Sequence, residues 1–181
     1  MLNESVRFQV LRRGGEYNPD AAMRQSINEV ADWLTREKKT CGLMLLGLIG
    51  NGKTTLMRAV TDMINACGLY DKHNKQRWVT WIDAKTLVRY ARDDEDYMYE
   101  IIKKPMIALD DIGTEASDVK SYGNIINPVV ELFDYRYKHM LFTMVTTNLS
   151  PEKICTTYGE RIADRLNEIM TPIIFERGSY R

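Results

Sequence analysis

Nine residues concentrate the chemistry of this sequence: Gly47-Leu48-Ile49-Gly50-Asn51-Gly52-Lys53-Thr54-Thr55. The spacing G-x-x-x-x-G-K-T suits a loop wrapped around a polyphosphate. Gly47, Gly50 and Gly52 let backbone N–H groups turn inward, because only glycine takes the required dihedrals without a Cβ clash. Asn51 and Thr55 complete the cradle. Lys53 is placed to reach the β- and γ-phosphates, and Thr54 to hold Mg²⁺ through its hydroxyl. The expected ligand is therefore a nucleoside triphosphate with its Mg²⁺. The flanks agree. Cys41-Gly42-Leu43-Met44-Leu45-Leu46 reads as a buried strand, and Leu56-Met57-Arg58-Ala59-Val60 as a helix whose positive end adds to the phosphate site.

Two further stretches carry groups that act on a bound triphosphate. Pro105-Met106-Ile107-Ala108-Leu109-Asp110-Asp111 is a short apolar run that ends in acid. Asp110 matches the aspartate that holds Mg²⁺ directly or through water, and Asp111 stands where a carboxylate polarises an attacking water. Asp111 is one methylene shorter than the glutamate usual there, so Glu115 could assist. Val145-Thr146-Thr147-Asn148 ends a later strand in a polar residue. If that strand lies between the loop strand and the acidic strand, Asn148 points at the γ-phosphate and orients the water. Asp111 and Asn148 also have plainer uses, as a turn cap and as part of the helix-capping run Asn148-Leu149-Ser150-Pro151.

The elements that must position these groups follow from patterning. The chain has 181 residues, 44% hydrophobic and 28% charged, enough for one domain with a real core. Residues 1–20 carry turn signals and read as an N-terminal arm, with a single nucleotide-binding domain spanning 21–181. A helix capped by Asn18 is expected from Pro19 to about Lys38, with Ala22, Ile27, Val30, Ala31 and Leu34 near one face. The loop helix should stop near Cys67-Gly68. Arg77–Asp83 reads as a strand, Ala84–Ala91 as a short helix, and Asp93-Asp94-Glu95-Asp96 as a solvated loop. A loop over 113–121, a helix over Asn124–Lys138, a strand over Met140–Thr147, a helix over Gly159–Ile169 and a strand over Thr171–Glu176 complete the chain. Strands alternating with helices predict a parallel α/β sheet, with ligands at the carboxyl ends of the strands.

Composition narrows the partners. Lys+Arg 25 balances Asp+Glu 25, so any nucleic-acid contact must come from a local patch. Cys41, Cys67 and Cys155 lie far apart without metal-ligand spacing and read as buried reduced thiols. Neither a signal core nor a membrane-length apolar run is present, so a cytoplasmic protein with no membrane contact is expected.

Together with Gly47–Thr55, the segments Leu109-Asp110-Asp111-Ile112-Gly113, Thr146-Thr147-Asn148, Tyr158–Leu166 and Gly178-Ser179-Tyr180-Arg181 resemble the AAA+ ATPase core of DnaC-type helicase loaders and IstB-type transposition helpers. The resemblance runs from about Ala21 to the end. It implies a P-loop NTPase fold of AAA+ type, a five-stranded parallel sheet flanked by helices with a minimal or absent C-terminal lid. It also implies ATP as the nucleotide, in keeping with the lack of an Asn-Lys-x-Asp guanine motif. The base would sit between the arm and the P-loop helix. Arg161 would be an arginine finger reaching the nucleotide of a neighbouring subunit, and Arg165, one helical turn on, would support that interface. Arg181 would be a second sensor on the bound phosphates. Self-association with nucleotide at the subunit interface follows, with slow hydrolysis by a monomer. Single-stranded DNA and a replicative helicase or a transposase are the implied partners. Such loaders usually carry a helicase-gripping domain ahead of the core, where this sequence has only the short arm.

Arg89-Tyr90-Ala91-Arg92 and Tyr135-Arg136-Tyr137-Lys138-His139 interleave rings with cations and are the candidate contacts to single-stranded DNA, though on amphipathic helices the same pattern also reads as core-facing rings with solvated neighbours. Two other readings stand beside this one. A small-molecule P-loop kinase would need an arginine-rich lid that the sequence lacks. A non-catalytic ATP switch would bind nucleotide and change shape without useful turnover.

Overall fold

The computed structural model describes residues 1–37, 40–116, 119–121 and 124–175. In chain order its elements are α1 (Leu2–Arg12), α2 (Ala21–Thr35), β1 (Gly42–Gly47), α3 (Lys53–Ala66), β2 (Val79–Asp83), α4 (Ala84–Asp93), α5 (Glu95–Ile102), β3 (Met106–Ile112), β4 (Val119–Ser121), β5 (Asn124–Ile126), α6 (Pro128–Lys138), β6 (Phe142–Thr147), α7 (Pro151–Tyr158), α8 (Glu160–Ile169) and β7 (Met170–Phe175). Five strands form one parallel sheet in the order β2-β3-β6-β1-β7. β6 thus lies between the P-loop strand β1 and the acidic strand β3, as the role expected of Asn148 requires.

The sheet is covered on both faces, which is why β1 reads as a continuous apolar run. Successive side chains point to opposite faces. Leu43 and Leu45 pack with α1, α2 and α3, whereas Met44 and Leu46 pack with the layer formed by α4 to α8. β3 divides the same way, with Ala108 on the α3 side and Ile107 and Leu109 on the other.

Several local expectations are corrected. Residues 2–12 are an α-helix docked on α3, not a turn-rich arm. Leu2, Val6 and Gln9 are buried, Ser5 Oγ donates to the Ala59 carbonyl at 2.8 Å, and Gln9 Nε2 donates to Asp62 at 2.5 Å. A polar Gln9 within the buried stripe weakens its apolar period. The N-cap of α2 is Asp20, whose carboxylate accepts from the Met23 amide at 2.8 Å, so Asn18 and Pro19 stay outside the helix. The buried face of α2 includes Trp33, which the apolar spacing passed over. The acidic run 93–96 is a junction between helices: Asp94 caps α5, whose Met98, Ile101 and Ile102 enter the core. Residues 119–126 contain a short antiparallel pair, and α6 begins only at Pro128, capped by Asn127. None of the three cysteines is buried. Cys67 is exposed, Cys41 and Cys155 are half-buried, and all are free. No helix among the described residues is long and apolar enough to cross a membrane.

Candidate nucleotide-binding site

The loop between β1 and α3 is shaped by what its glycines allow. Gly47 has φ 147, and a Cβ there would lie 2.5 Å from both Asn51 Nδ2 and the Phe175 carbonyl. Gly52, at φ 93, is the left-handed N-cap of α3, so the loop turns directly into the helix. Asn51 is buried and ties the loop to β7 by donating from Nδ2 to the Phe175 carbonyl at 3.3 Å.

Lys53 sits at the centre. Its Nζ lies 2.7 Å from the Gly47 carbonyl, 2.8 Å from Leu48 O, 3.0 Å from Asn51 Oδ1 and 2.9 Å from Asn148 Oδ1. An ammonium has three N–H groups, so these four acceptors are shared. Burial lowers the Lys53 pKa to about 8, opposed by the negative charges of Asp111 and Asp110. Asn148 spans the site. Its amide oxygen accepts from Lys53 and its Nδ2 donates to Asp111 Oδ1 at 3.0 Å.

Asp110 is buried at the end of β3, and its Oδ1 accepts from Thr54 Oγ1 at 2.9 Å and Thr146 Oγ1 at 2.6 Å. Burial pushes its pKa up, while the two hydroxyls pull it down. Thr54 and Asp110 therefore meet directly, as the metal assignment requires. Mg²⁺ favours a few hard oxygen ligands supplemented by substrate phosphates over an all-protein cage. The residues fit that description: a hydroxyl and a carboxylate converge at the P-loop.

A cavity of about 820 Å³ opens over the loop. Gly50, Lys53, Thr54, Thr55, Asp111 and Asn148 line one wall. Val6, Val10, Tyr17, Pro19 and Met23 line the other, the place expected for a base between the N-terminal segment and the P-loop helix. The cavity wall also contains two residues that sequence reasoning missed. Arg13, just past α1, donates to Thr55 Oγ1 at 3.0 Å, and nothing in its local sequence marks it. Thr146 bonds Asp110, and its signal was a group of threonines in a buried central strand.

Glu115 is placed elsewhere. Its carboxylate accepts from the Gly113 amide at 2.7 Å and from the Tyr158 hydroxyl at 2.5 Å, and it does not line the cavity. Burial raises the pKa of that tyrosine, helped by its bond to Glu115. Arg161 and Arg165 are also outside the cavity. They share a face of α8 and both reach Asp134 Oδ1 on α6, Arg161 at 3.0 Å. Lys138 pairs with the other oxygen of Asp134 at 2.5 Å, and Arg165 stacks over Tyr137. The Arg161 side chain is 70% exposed. Arg181, and the segment Gly178–Arg181 around it, lie outside the described residues.

The two aromatic-basic stretches are mostly occupied. Arg136 is fully buried. Its Nε donates to Thr143 Oγ1 at 2.6 Å, Nη1 to the carbonyls of Ile102 at 3.0 Å and Lys104 at 2.8 Å, and Nη2 to those of Pro105 and Phe142. Burial lowers its pKa to about 10. It is a strut between α5, α6 and β6, not a phosphate contact. Tyr137 donates to Glu168 at 2.7 Å with one ring face under Arg165. In the other stretch Ala91 is core, Tyr90 meets Tyr97 edge-on, and Arg92 pairs with Asp93.

No protein-family model and no curated protein sequence matches the chain. Solved structures do. The chain is similar to the DnaC helicase loader (TM-score 0.65, 20% identity, covering 87% of this chain and 93% of that one). It is similar to DnaI (TM-score 0.62, 22% identity, covering 96% and 94%). The replication initiator DnaA bound to AMPPCP and single-stranded DNA matches with TM-score 0.57 and 15% identity, covering 87% of this chain and 48% of that one. At these identities the likeness is one of fold.

Proposed function

We infer that the chain is an AAA+ P-loop NTPase, a reading supported by its five-stranded parallel sheet flanked by helices and by its solved neighbours. We propose that the chain binds and hydrolyses ATP with Mg²⁺, and that it does so efficiently only when assembled with copies of itself on single-stranded DNA. The assembly would serve helicase loading or a related step of DNA replication. The observation that carries this reading is a division of labour. Lys53, Thr54, Asp110, Asp111 and Asn148 are joined by hydrogen bonds at one end of the sheet, whereas Arg161 projects from α8 outside the cavity.

Within one chain, the P-loop N–H groups and Lys53 bind the phosphates. Asn148 and Asp111 hold an attacking water in line, and the Asp111 carboxylate accepts its proton. Thr54 and Asp110 would hold Mg²⁺, which when bound would supply charge neutralisation at the phosphates. Arg161, presented to the neighbouring subunit's nucleotide, stabilises the charge that builds up in the transition state. In related systems such a finger accounts for roughly 10³–10⁵ in rate. The solved neighbours, a helicase loader and an initiator holding AMPPCP and single-stranded DNA, support a replication role and a DNA partner.

The test is steady-state ATP hydrolysis across protein concentration, with and without single-stranded DNA, for wild type and Arg161→Ala. The expected rate per subunit climbs with concentration and DNA, and it collapses in the variant while nucleotide binding survives. A concentration-independent rate that ignores Arg161→Ala overturns the assembly-gated reading.

A further inference from the structure

β3 is irregular at the residues that matter. Its register with β6 runs Met106↔Phe142 through Leu109↔Val145, then shifts and resumes at Ile112↔Thr147. Asp110 and Asp111 therefore stand opposite the single residue Thr146, a β-bulge. In a regular strand two adjacent carboxylates would point to opposite faces, and one of them would be lost to the site. Here Asp110 reaches Thr54 and Asp111 reaches Asn148, so both serve the same end of the sheet. The bulge requires Asp111 to take φ 60, a left-handed conformation that aspartate tolerates better than most residues.

A bulge also takes an amide out of the ladder, and a buried N–H without an acceptor is costly. The Asp111 amide finds its acceptor in the Thr146 hydroxyl, at 2.8 Å. The same hydroxyl donates to Asp110 Oδ1 at 2.6 Å. A hydroxyl has one proton to give and lone pairs to accept with, so both bonds are made by one atom without conflict. Thr146 is 1% exposed, which fixes its rotamer between the two aspartates. Both Thr146 and Thr54 bond Oδ1 of Asp110, which leaves the lone pairs of Oδ2 for a cation.

We propose that Thr146 is a positioning residue for the paired carboxylates. Its hydroxyl stabilises the bulge that turns Asp111 toward the γ-phosphate and orients Asp110 toward Mg²⁺. The role rests on the ATPase reading above, but the contact itself is independent of nucleotide. Thr146→Val keeps the shape and removes both bonds, while Thr146→Ser keeps the hydroxyl.

Two measurements test it. Amide hydrogen exchange of Asp111 in the nucleotide-free chain should speed up about tenfold or more in Thr146→Val and stay near wild type in Thr146→Ser, the scale of one lost buried bond. Affinity for a fluorescent ADP, measured with Mg²⁺ and with EDTA, should lose about tenfold of its Mg²⁺-dependent gain in Thr146→Val and keep that gain in Thr146→Ser. Unchanged Asp111 exchange in Thr146→Val, or a Thr146→Ser variant as impaired as Thr146→Val, overturns the proposal. A wild-type chain that binds no nucleotide under either condition defeats the ATPase reading instead, and the exchange experiment still decides the role of Thr146.

Discussion

The two ends of the candidate machinery are built by opposite rules. At the P-loop, side chains from α3, β3 and the end of β6 bond one another, β1 adds the Gly47 carbonyl, and the central cation is shared among four acceptors. On α8, Arg161 is exposed and tethered by Asp134, a carboxylate it shares with Arg165 and Lys138. A buried, cross-bonded cluster is preorganised, so its geometry costs little at the moment of reaction. An exposed ion pair is worth little energetically and can be exchanged for another partner. The contrast suits a site complete for binding within one chain and completed for catalysis by the next.

The hardest blow to the first region is Lys53→Ala, which should lower hydrolysis by at least about 10³-fold at any protein concentration, since it removes the cation at the centre of the phosphate site. Mixing chains then separates the regions. Lys53→Ala and Arg161→Ala should each be nearly inactive alone, yet a one-to-one mixture should recover roughly a quarter of the wild-type rate. In a head-to-tail assembly, that is the share of interfaces pairing an intact P-loop with an intact arginine. A mixture as silent as its components would erase the distinction between the two ends.

Arg136→Ala sharpens the contrast among arginines. It strands buried carbonyls, and should cost about 3 kcal/mol or more of folding stability in a denaturant titration, because bonds from a charged donor are the strong ones. Arg161→Ala should shift the same titration by less than about 1 kcal/mol. Smallest is Asp134→Ala. With its tether gone, Arg161 should support hydrolysis about three- to tenfold less well at high protein concentration, with nucleotide affinity near wild type. An unaltered rate would show that Asp134 holds Arg161 without orienting it for catalysis.

Much of the site was legible because its signals are local. The Gly47–Thr55 spacing requires a particular loop whatever surrounds it, and the apolar run ending in Asp110-Asp111 is a buried parallel strand by pattern alone. The failures had equally physical causes. α1 was obscured because its buried stripe includes Gln9, which is satisfied by Asp62 on α3. α5 was hidden because an acidic run looks solvated until Asp94 is recognised as a cap for the apolar residues after it. Arg136 looked like a phosphate contact because it stands between tyrosines, although its spacing put it on the same helix face as Val129, Leu132 and Phe133, where it is buried.

By itself the sequence determined the strand–loop–helix that can hold a polyphosphate, the acidic end of β3 and the alternation that makes a parallel sheet. Each depends on dihedral freedom or on the period of neighbouring residues. Tertiary structure decided the rest. It set β6 between β1 and β3, opened the bulge that turns two adjacent aspartates to one end of the sheet, and gave the orphaned Asp111 amide to Thr146. It also buried Arg136 and left Arg161 outside. These outcomes depend on which residues meet across 20 or more positions of chain, and a distant acceptor or an inserted register leaves no trace in local spacing.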